Sequence, residues 1–507
     1  MNLASIIDPH PDDATALISR GHPTDYGTLR QQVAVLRGGL VGAGIEPDDR
    51  VAIVCANNWY FVVSYLAILG VGAVAVPLNP LSPPRELERE LAAVGARGLV
   101  VGPSGTATAA ALDRAAIPSL EVVIQSEGHD AGDGALALDD LLAAAPAPVV
   151  ERTADDLAVL MFTSGTADSP KAAMLTHGNL LANIDQVIGL RGDGGDAADV
   201  GFGVLPMFHI FGLNVALGTA LRAGASLLLV ERFDPTSALE AIQKHRVTVL
   251  PGAPTMWAAW AAMPGLGPDD FASVSMAMSG ASKLDPFVAE TVKRRFGLEI
   301  GEGYGLTEAS PVVTASVGLP WRPGSVGAAV DDVELRLVDA DGDDVLVGDP
   351  GEIWVRGPNV FRGYWEDDEA TARALDDEGW LHTGDVAVVD DDGLIQLVDR
   401  VKDLIIVSGF NVYPAEVEEV VQSMPGVAAC AIVGVPHPHT GEAVKAFVVV
   451  EPGFAIEEDA VIEHCASLLA RYKCPQKVNF VDELPVNVSG KVLKRALREP
   501  DTEAAPA

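Results

Sequence analysis

The chain has 507 residues, 49% of them hydrophobic, and its 34 Lys and Arg against 71 Asp and Glu give a formal net charge of -37. A length beyond the size at which one core stops growing calls for two or more domains. So acidic a chain excludes a general nucleic-acid binder and attraction to an anionic membrane surface, so any anionic ligand must be met by locally placed cations. High-salt adaptation and genomic base bias account for the acidity equally well.

The first ten residues show no basic region followed by an apolar one, so no export signal is expected. Leu29, Val33, Leu36 and Leu40 recur at helical spacing and mark one helix face. Residues 51–55 read as a buried strand, 61–69 as a helix, 74–78 as a second strand and 86–94 as a helix, followed by strands near 99–101 and 122–124. The most apolar run, residues 65–78, is too short to span a bilayer and is broken by glycine and proline. Alternation of this kind predicts an α/β fold with a largely parallel sheet. Residues 126–134 and 143–148 read as connectors.

Residues 161–175 run Met-Phe-Thr-Ser-Gly-Thr-Ala-Asp-Ser-Pro-Lys-Ala-Ala-Met-Leu. Small residues leave the backbone free to wrap an anion with its N–H groups, and Thr163, Ser164, Thr166 and Ser169 add hydroxyl donors. Lys171 adds a mobile positive charge. A Gly/Ser/Thr/Pro surface turn has the same composition, so this loop alone leaves both readings open.

Further along, Gly301 to Glu308 reads Gly-Glu-Gly-Tyr-Gly-Leu-Thr-Glu. Its alternating glycines, Gly303 among them, are expected to admit a flat ligand, and Tyr304 offers a stacking face. Thr307 can donate to a phosphate, and Glu308 is a hard oxygen ligand suited to Mg²⁺. From about residue 324 to 398 the pattern shifts to short strands and acidic turns, which predicts a β-rich subdomain. There Trp380 to Asp385 reads Trp-Leu-His-Thr-Gly-Asp, placing a carboxylate where it can accept from two ribose hydroxyls. Residues 399–414 join a charged segment to a buried strand and a glycine turn, and a compact α/β tail follows, in which Asn487 to Lys491 reads Asn-Val-Ser-Gly-Lys. The cysteines, Cys55, Cys430, Cys465 and Cys474, have no metal-ligand spacing, which points to a reducing, cytoplasmic setting.

In this order the motifs resemble those of the adenylate-forming superfamily of acyl-CoA synthetases, nonribosomal-peptide adenylation domains and luciferases, over essentially the whole chain. Within it, residues 379–386, 407–414 and 441–447 are most similar to bacterial medium- and long-chain fatty acyl-CoA ligases. The resemblance implies a large N-terminal adenylation domain over residues 1–399, a hinge at 400–402 and a small mobile α/β domain over 403–507. It implies ATP, Mg²⁺ and coenzyme A, with a small-molecule carboxylic acid, expected to be a fatty acid, as the remaining substrate. No nucleic-acid partner and no transmembrane segment are expected, and a homodimer is left open.

By the same resemblance, the loop from Thr163 through Ser164, Gly165 and Thr166 to Lys171 holds the β- and γ-phosphates, and Thr307 contacts the α-phosphate. Glu308 ligates Mg²⁺, Gly303 and Tyr304 meet adenine, and Asp385 and Arg400 hold the ribose. Lys491 bridges substrate carboxylate and phosphate during adenylation. Lys402 is the hinge, and Ser408, Gly409 and Phe410 line the coenzyme A channel. The acyl pocket is walled by Ile184, Val187, Phe208, Phe211 and Gly212, with His209 as an aromatic gate. A ligase that loads a carrier protein and a non-catalytic nucleotide-binding homologue are the competing readings. The second draws on departures in the phosphate loop, where Ala167, Asp168 and Ala172 stand at positions that are Thr, Gly and Gly in most relatives. Ala172 is expected to stiffen a turn after Lys171. Finally, residues 471–498 hold seven basic and two acidic side chains, an island that could recruit phosphates to the mobile domain.

Overall fold

The structure is a computed structural model and describes residues 1–126, 134–163, 171–192, 195–400, 403–407, 410–437, 440–486 and 492–498; at 399, 400, 410, 411 and 495 it describes the backbone. By compactness the chain forms two units, Met1–Leu335 with Val355–Leu381 and Arg336–Trp354 with His382–Ala507.

The first unit holds two large sheets. One is seven-stranded, in the order Leu136–Ala137, Val122–Gln125, Gly98–Val101, Arg50–Val54, Val74–Leu78, Leu157–Thr163, Lys171–Thr176. Its neighbours run parallel except the last pair. Helices cover a parallel sheet on both faces, so its strands are continuously apolar, as Val51 to Val54 and Val74 to Leu78 are here. The helix expected at 61–69 spans Trp59–Val71, because the Asn58 side chain accepts from the Phe61 N–H at its start. The helix expected at 86–94 is Pro84–Ala93, started by a proline whose missing N–H costs nothing in the first turn.

The second sheet has nine strands, ordered Ala328–Ala329, Val312–Ala315, Ile300–Gly305, Met276–Ser279, Val249–Gly252, Val200–Gly203, Ser226–Leu229, Thr15–Ser19, His22–Asp25. It is parallel in the middle and antiparallel at both ends. Its core centres on Trp257, Trp260 and Phe271, whose rings meet edge to face at 5.5 and 5.6 Å between centroids.

The β-rich stretch forms a four-stranded sheet ordered Glu334–Val338, Gly351–Arg356, Leu381–Val389, Ile395–Arg400. The tail folds around the long antiparallel pair Val427–His437 and Gly441–Val450. Lys477–Phe480 adds in parallel to Gly441–Val450, and Val417, Val421, Val461 and Cys465 fill the core beneath. All four cysteines are free, and burial pushes the thiols of Cys55 and Cys430 up to about 12 and that of Cys465 up to about 11. They are packing residues that stay protonated at neutral pH. No helix among the described residues is long and apolar enough to cross a membrane.

Candidate active site

Strands Leu157–Thr163 and Lys171–Thr176 pair antiparallel with Thr163 opposite Lys171. Ser164, Gly165 and Thr166, like Ala167 and Asp168, lie outside the described residues. Ala172 does not sit in a turn, contrary to expectation. It is a strand residue paired with Phe162, 3% exposed, and its carbonyl accepts from the Trp365 N–H at 2.8 Å. A methyl group there fills core space, which accounts for alanine where glycine was expected.

Residues 361–365 bind this strand edge to the turn that carries Glu308. The Arg362 N–H donates to Met174 O at 3.0 Å, the Met174 N–H to Gly363 O at 2.9 Å, and the Phe361 N–H to Glu308 O at 2.8 Å. Tyr364 stands at the junction. Its hydroxyl donates to Glu308 Oε1 at 2.7 Å, and Lys171 Nζ lies 5.2 Å from its ring centroid. Lys171 also stands 3.9 Å from Asp367 Oδ2, on the residue that caps the helix Asp368–Ala374 by accepting from the Ala370 N–H. Two residues singled out from separate motifs, Lys171 and Glu308, thus meet on one side chain that sequence reasoning did not select.

Glu308 belongs to the 3-10 turn Thr307–Ala309 that follows strand Ile300–Gly305, so Gly303, Tyr304, Thr307 and Glu308 share one strand end. The glycines answer first to protein neighbours. A Cβ on Gly305 would come within 2.2 Å of Pro311 O, and one on Gly303 within 3.0 Å of Thr314 O. The strand must approach its antiparallel partner closely, whatever ligand comes later. Tyr304 is 7% exposed. Three buried asparagines hold the turn from behind. Asn183 exchanges hydrogen bonds with the Val312 backbone at 2.8 and 3.0 Å, Asn214 donates to Ser310 O at 2.6 Å, and Asn359 donates to Ala309 O at 2.9 Å. Each satisfies backbone groups that burial would otherwise leave unpaired.

His209 precedes an eight-residue π-helix, Phe211–Gly218. Burial lowers the pKa of its imidazole, and its Nε2 is buried without a hydrogen-bond partner. Gly212 has no room for a side chain, because the space of a Cβ is already filled by Pro206 O and Leu205 O at 2.2 and 2.5 Å. Phe211 instead covers Gly280, with its ring 3.0 Å from where a Cβ would stand. A cavity of about 60 Å³ lies between the sheet and the helices, lined by Val187, Phe202, Val215, Ala216, Met276 and Met278 among others. Of the expected walls only Val187 lines it.

In the second unit Asp385 and Arg400 are register partners across the strands Leu381–Val389 and Ile395–Arg400. Asp385 is 8% exposed. Phe410 begins the short strand Phe410–Val412, paired with Val407. Lys402, Ser408, Gly409 and Lys491 lie outside the described residues. The basic island is partly neutralised: Lys473 pairs with Glu416 at 2.6 Å, Lys494 with Glu418 at 2.7 Å and Arg498 with Asp403 at 2.9 Å. Each of those three cations already faces a carboxylate, which lowers the local positive charge offered to phosphates.

Residues 5–365 match the family described as AMP-binding enzyme, and residues 416–491 match the AMP-binding enzyme C-terminal domain. The chain belongs to the AMP-binding enzyme family. A feruloyl-CoA synthase of an Amycolatopsis species is 39% identical over 97% of this chain and 96% of that protein. A long-chain-fatty-acid–CoA ligase of Escherichia coli O157:H7 is 34% identical over 96% of this chain and 92% of that protein. Among solved structures, ATP-bound MatB from Rhodopseudomonas palustris superposes with a TM-score of 0.90 at 34% identity, over 98% of each chain.

In this AMP-binding enzyme no group of three or more His, Cys, Asp or Glu among the described residues could hold a metal ion. The donor set around Glu308 fits Mg²⁺ all the same, because Mg²⁺ keeps several waters and is held by one or two carboxylates together with substrate phosphates. With Oε1 of Glu308 engaged by Tyr364, the other carboxylate oxygen remains for such an ion. The signal for the missed residues was faint. Asn183 interrupts the apolar face of Leu180, Ile184 and Val187, and a polar residue on a buried face calls for a partner. Tyr364 carried no such mark.

Proposed function

We propose that this chain is an acid–thiol ligase that activates an apolar carboxylic acid, a fatty acid in the first instance, with ATP and passes it to coenzyme A. The observation that carries this reading is the meeting of Lys171 and Glu308 on Tyr364, beside the strand ends that flank the phosphate loop. In the first step a carboxylate oxygen of the acid attacks the α-phosphorus of ATP, the bond to the bridging oxygen breaks, and pyrophosphate leaves. In the second step the coenzyme A thiol gives up its proton, its sulfur attacks the acyl carbon, and AMP leaves. Charge develops on phosphoryl oxygens in the first step, so the protein's task is positioning and electrostatic stabilisation. Lys171 is assigned to the β- and γ-phosphates, Thr307 to the α-phosphate, and Asp385 with Arg400 to the ribose. Bound with ATP at Glu308, Mg²⁺ would supply neutralisation of the polyphosphate charge. Lys491 is assigned to the adenylation step, Lys402 to the hinge between the half-reactions, and residues 408–410 to the pantetheine path.

The apolar cavity beside Val187 and the neutral state of His209 support an uncharged acyl group. The relatives act on ferulic and on long-chain fatty acids by name, so the choice between aryl and alkyl acids rests on assay. Pyrophosphate exchange across acetate, malonate, octanoate, palmitate, benzoate and ferulate tests activation and selectivity together. Exchange with apolar acids, followed by thioester formation with free coenzyme A, is expected. Exchange without a thioester would favour a carrier-protein ligase, and no exchange with any acid would favour a nucleotide-binding homologue.

A further inference from the structure

Among the described residues, Tyr364 is the one side chain that meets both candidate polyphosphate-binding groups, and nothing in the motifs assigns it a task. Its surroundings make it well suited to hold something still. The ring packs edge to face on Phe361 at 5.0 Å, and its N–H donates to Thr371 Oγ1 at 2.9 Å. Its backbone bridges to Ala173 on the strand that begins at Lys171. Both ends of the side chain are therefore pinned, the ring by packing and the hydroxyl by Glu308.

A metal-binding carboxylate needs one oxygen free and a fixed orientation, and an outer hydrogen bond supplies the orientation. We infer that Tyr364 is the positioning residue of the Mg·ATP site: its hydroxyl fixes the Glu308 carboxylate so that the second oxygen meets the ion, while its ring parks Lys171 until the phosphates arrive. Lys171 pays little to leave its resting place. A cation over a ring and a loose ion pair at 3.9 Å are each weaker than contact with a polyphosphate.

The inference rests on the reading of Glu308 as the metal ligand, and two variants separate the two. Tyr364→Phe keeps the ring and its packing and removes only the hydroxyl, so the variant should fold, with a thermal midpoint lowered by a few degrees at most. Binding is followed with Mn²⁺ as the probe ion, by the electron paramagnetic resonance signal of free Mn²⁺ in the presence of ATP. Loss of an outer-shell partner of this kind costs about 10- to 100-fold in metal affinity. Tyr364→Phe is therefore expected to raise the Mn²⁺ half-saturation at least about 10-fold, and the Mg²⁺ activation constant in pyrophosphate exchange with it. The KM for the acid should stay unchanged. Glu308→Gln must weaken Mn²⁺ binding further. Unaltered Mn²⁺ binding in Tyr364→Phe beside a defective Glu308→Gln overturns the role of Tyr364 alone. Unaltered binding in Glu308→Gln withdraws the metal reading, and this inference with it.

Discussion

Asp385 and Arg400 stand opposite one another in register across an antiparallel pair, although they belong to different sequence motifs. The approach to Asp385 is built around Gly384, which adopts a left-handed φ of 69° with open space where a Cβ would be. Glu352 Oε1 accepts from the Gly384 N–H at 2.9 Å, and Thr383 Oγ1 accepts from the Asp385 N–H at 3.1 Å. The backbone that carries the carboxylate is thereby fixed by hydrogen bonds on both sides of the turn. If it accepts from the ribose, Asp385→Ala removes charge-assisted hydrogen bonds of about 1.5–3 kcal/mol, and the KM for ATP should rise roughly 10- to 100-fold. Calorimetric titration with AMP reads the same loss without turnover. An unchanged AMP affinity would take Asp385 out of the nucleotide site.

His177 is fully buried, with Nδ1 accepting from the Leu3 N–H at 3.1 Å and Nε2 without a partner. Burial, then the nearby Arg152 cation, lower its pKa to about 4 from the ordinary 6.5. Between those values the unfolded chain binds the proton and the folded one does not, so stability is full above about 6.5 and declines as pH falls towards about 4. The decline attributable to this one residue is on the order of 3 kcal/mol. His177→Asn, which keeps an acceptor for Leu3, should flatten the change in urea midpoint between pH 7 and pH 4.5. An identical slope in the variant would place the acid sensitivity elsewhere.

The cavity beside Val187 predicts a length-dependent phenotype. Replacing Val187 by Phe fills space bounded by Phe202, Val215 and Met278. Discrimination of about one methylene in an apolar pocket is worth about 1–3 kcal/mol. Val187→Phe should therefore lower kcat/KM for octanoate and palmitate by about 10-fold or more, while sparing acetate. A uniform loss across chain lengths would show that the cavity does not receive the acyl chain.

Asp168 puts a negative charge in the segment assigned to a polyphosphate, where two like charges about 4 Å apart in water repel by about 1 kcal/mol. The double variant Ala167→Thr with Asp168→Gly should lower the KM for ATP by about fivefold. No change would mean that the Asp168 carboxylate is turned to solvent.

Much of the fold was readable because its signals are local. Buried parallel strands must be apolar on both faces, so Arg50–Val54 and Val74–Leu78 announced themselves as runs of valine, alanine and isoleucine. The segments assigned to ligand binding stand out as motifs because phosphate chemistry restricts residue types over a few consecutive positions. Ala172 is the opposite case. Its residue type fits a turn or a strand, and only pairing with Phe162 and Trp365 decides.

Sequence by itself thus determined the α/β organisation, the order of the motifs and the candidate residues Lys171, Glu308, Asp385 and Arg400. Only the tertiary structure decided that Lys171 and Glu308 share Tyr364, that three asparagines support the turn at 307–312, and that the apolar space runs past Val187. Tyr364 and Glu308 lie 56 positions apart. A contact over that separation depends on where the intervening strands cross, which no local pattern of side chains records.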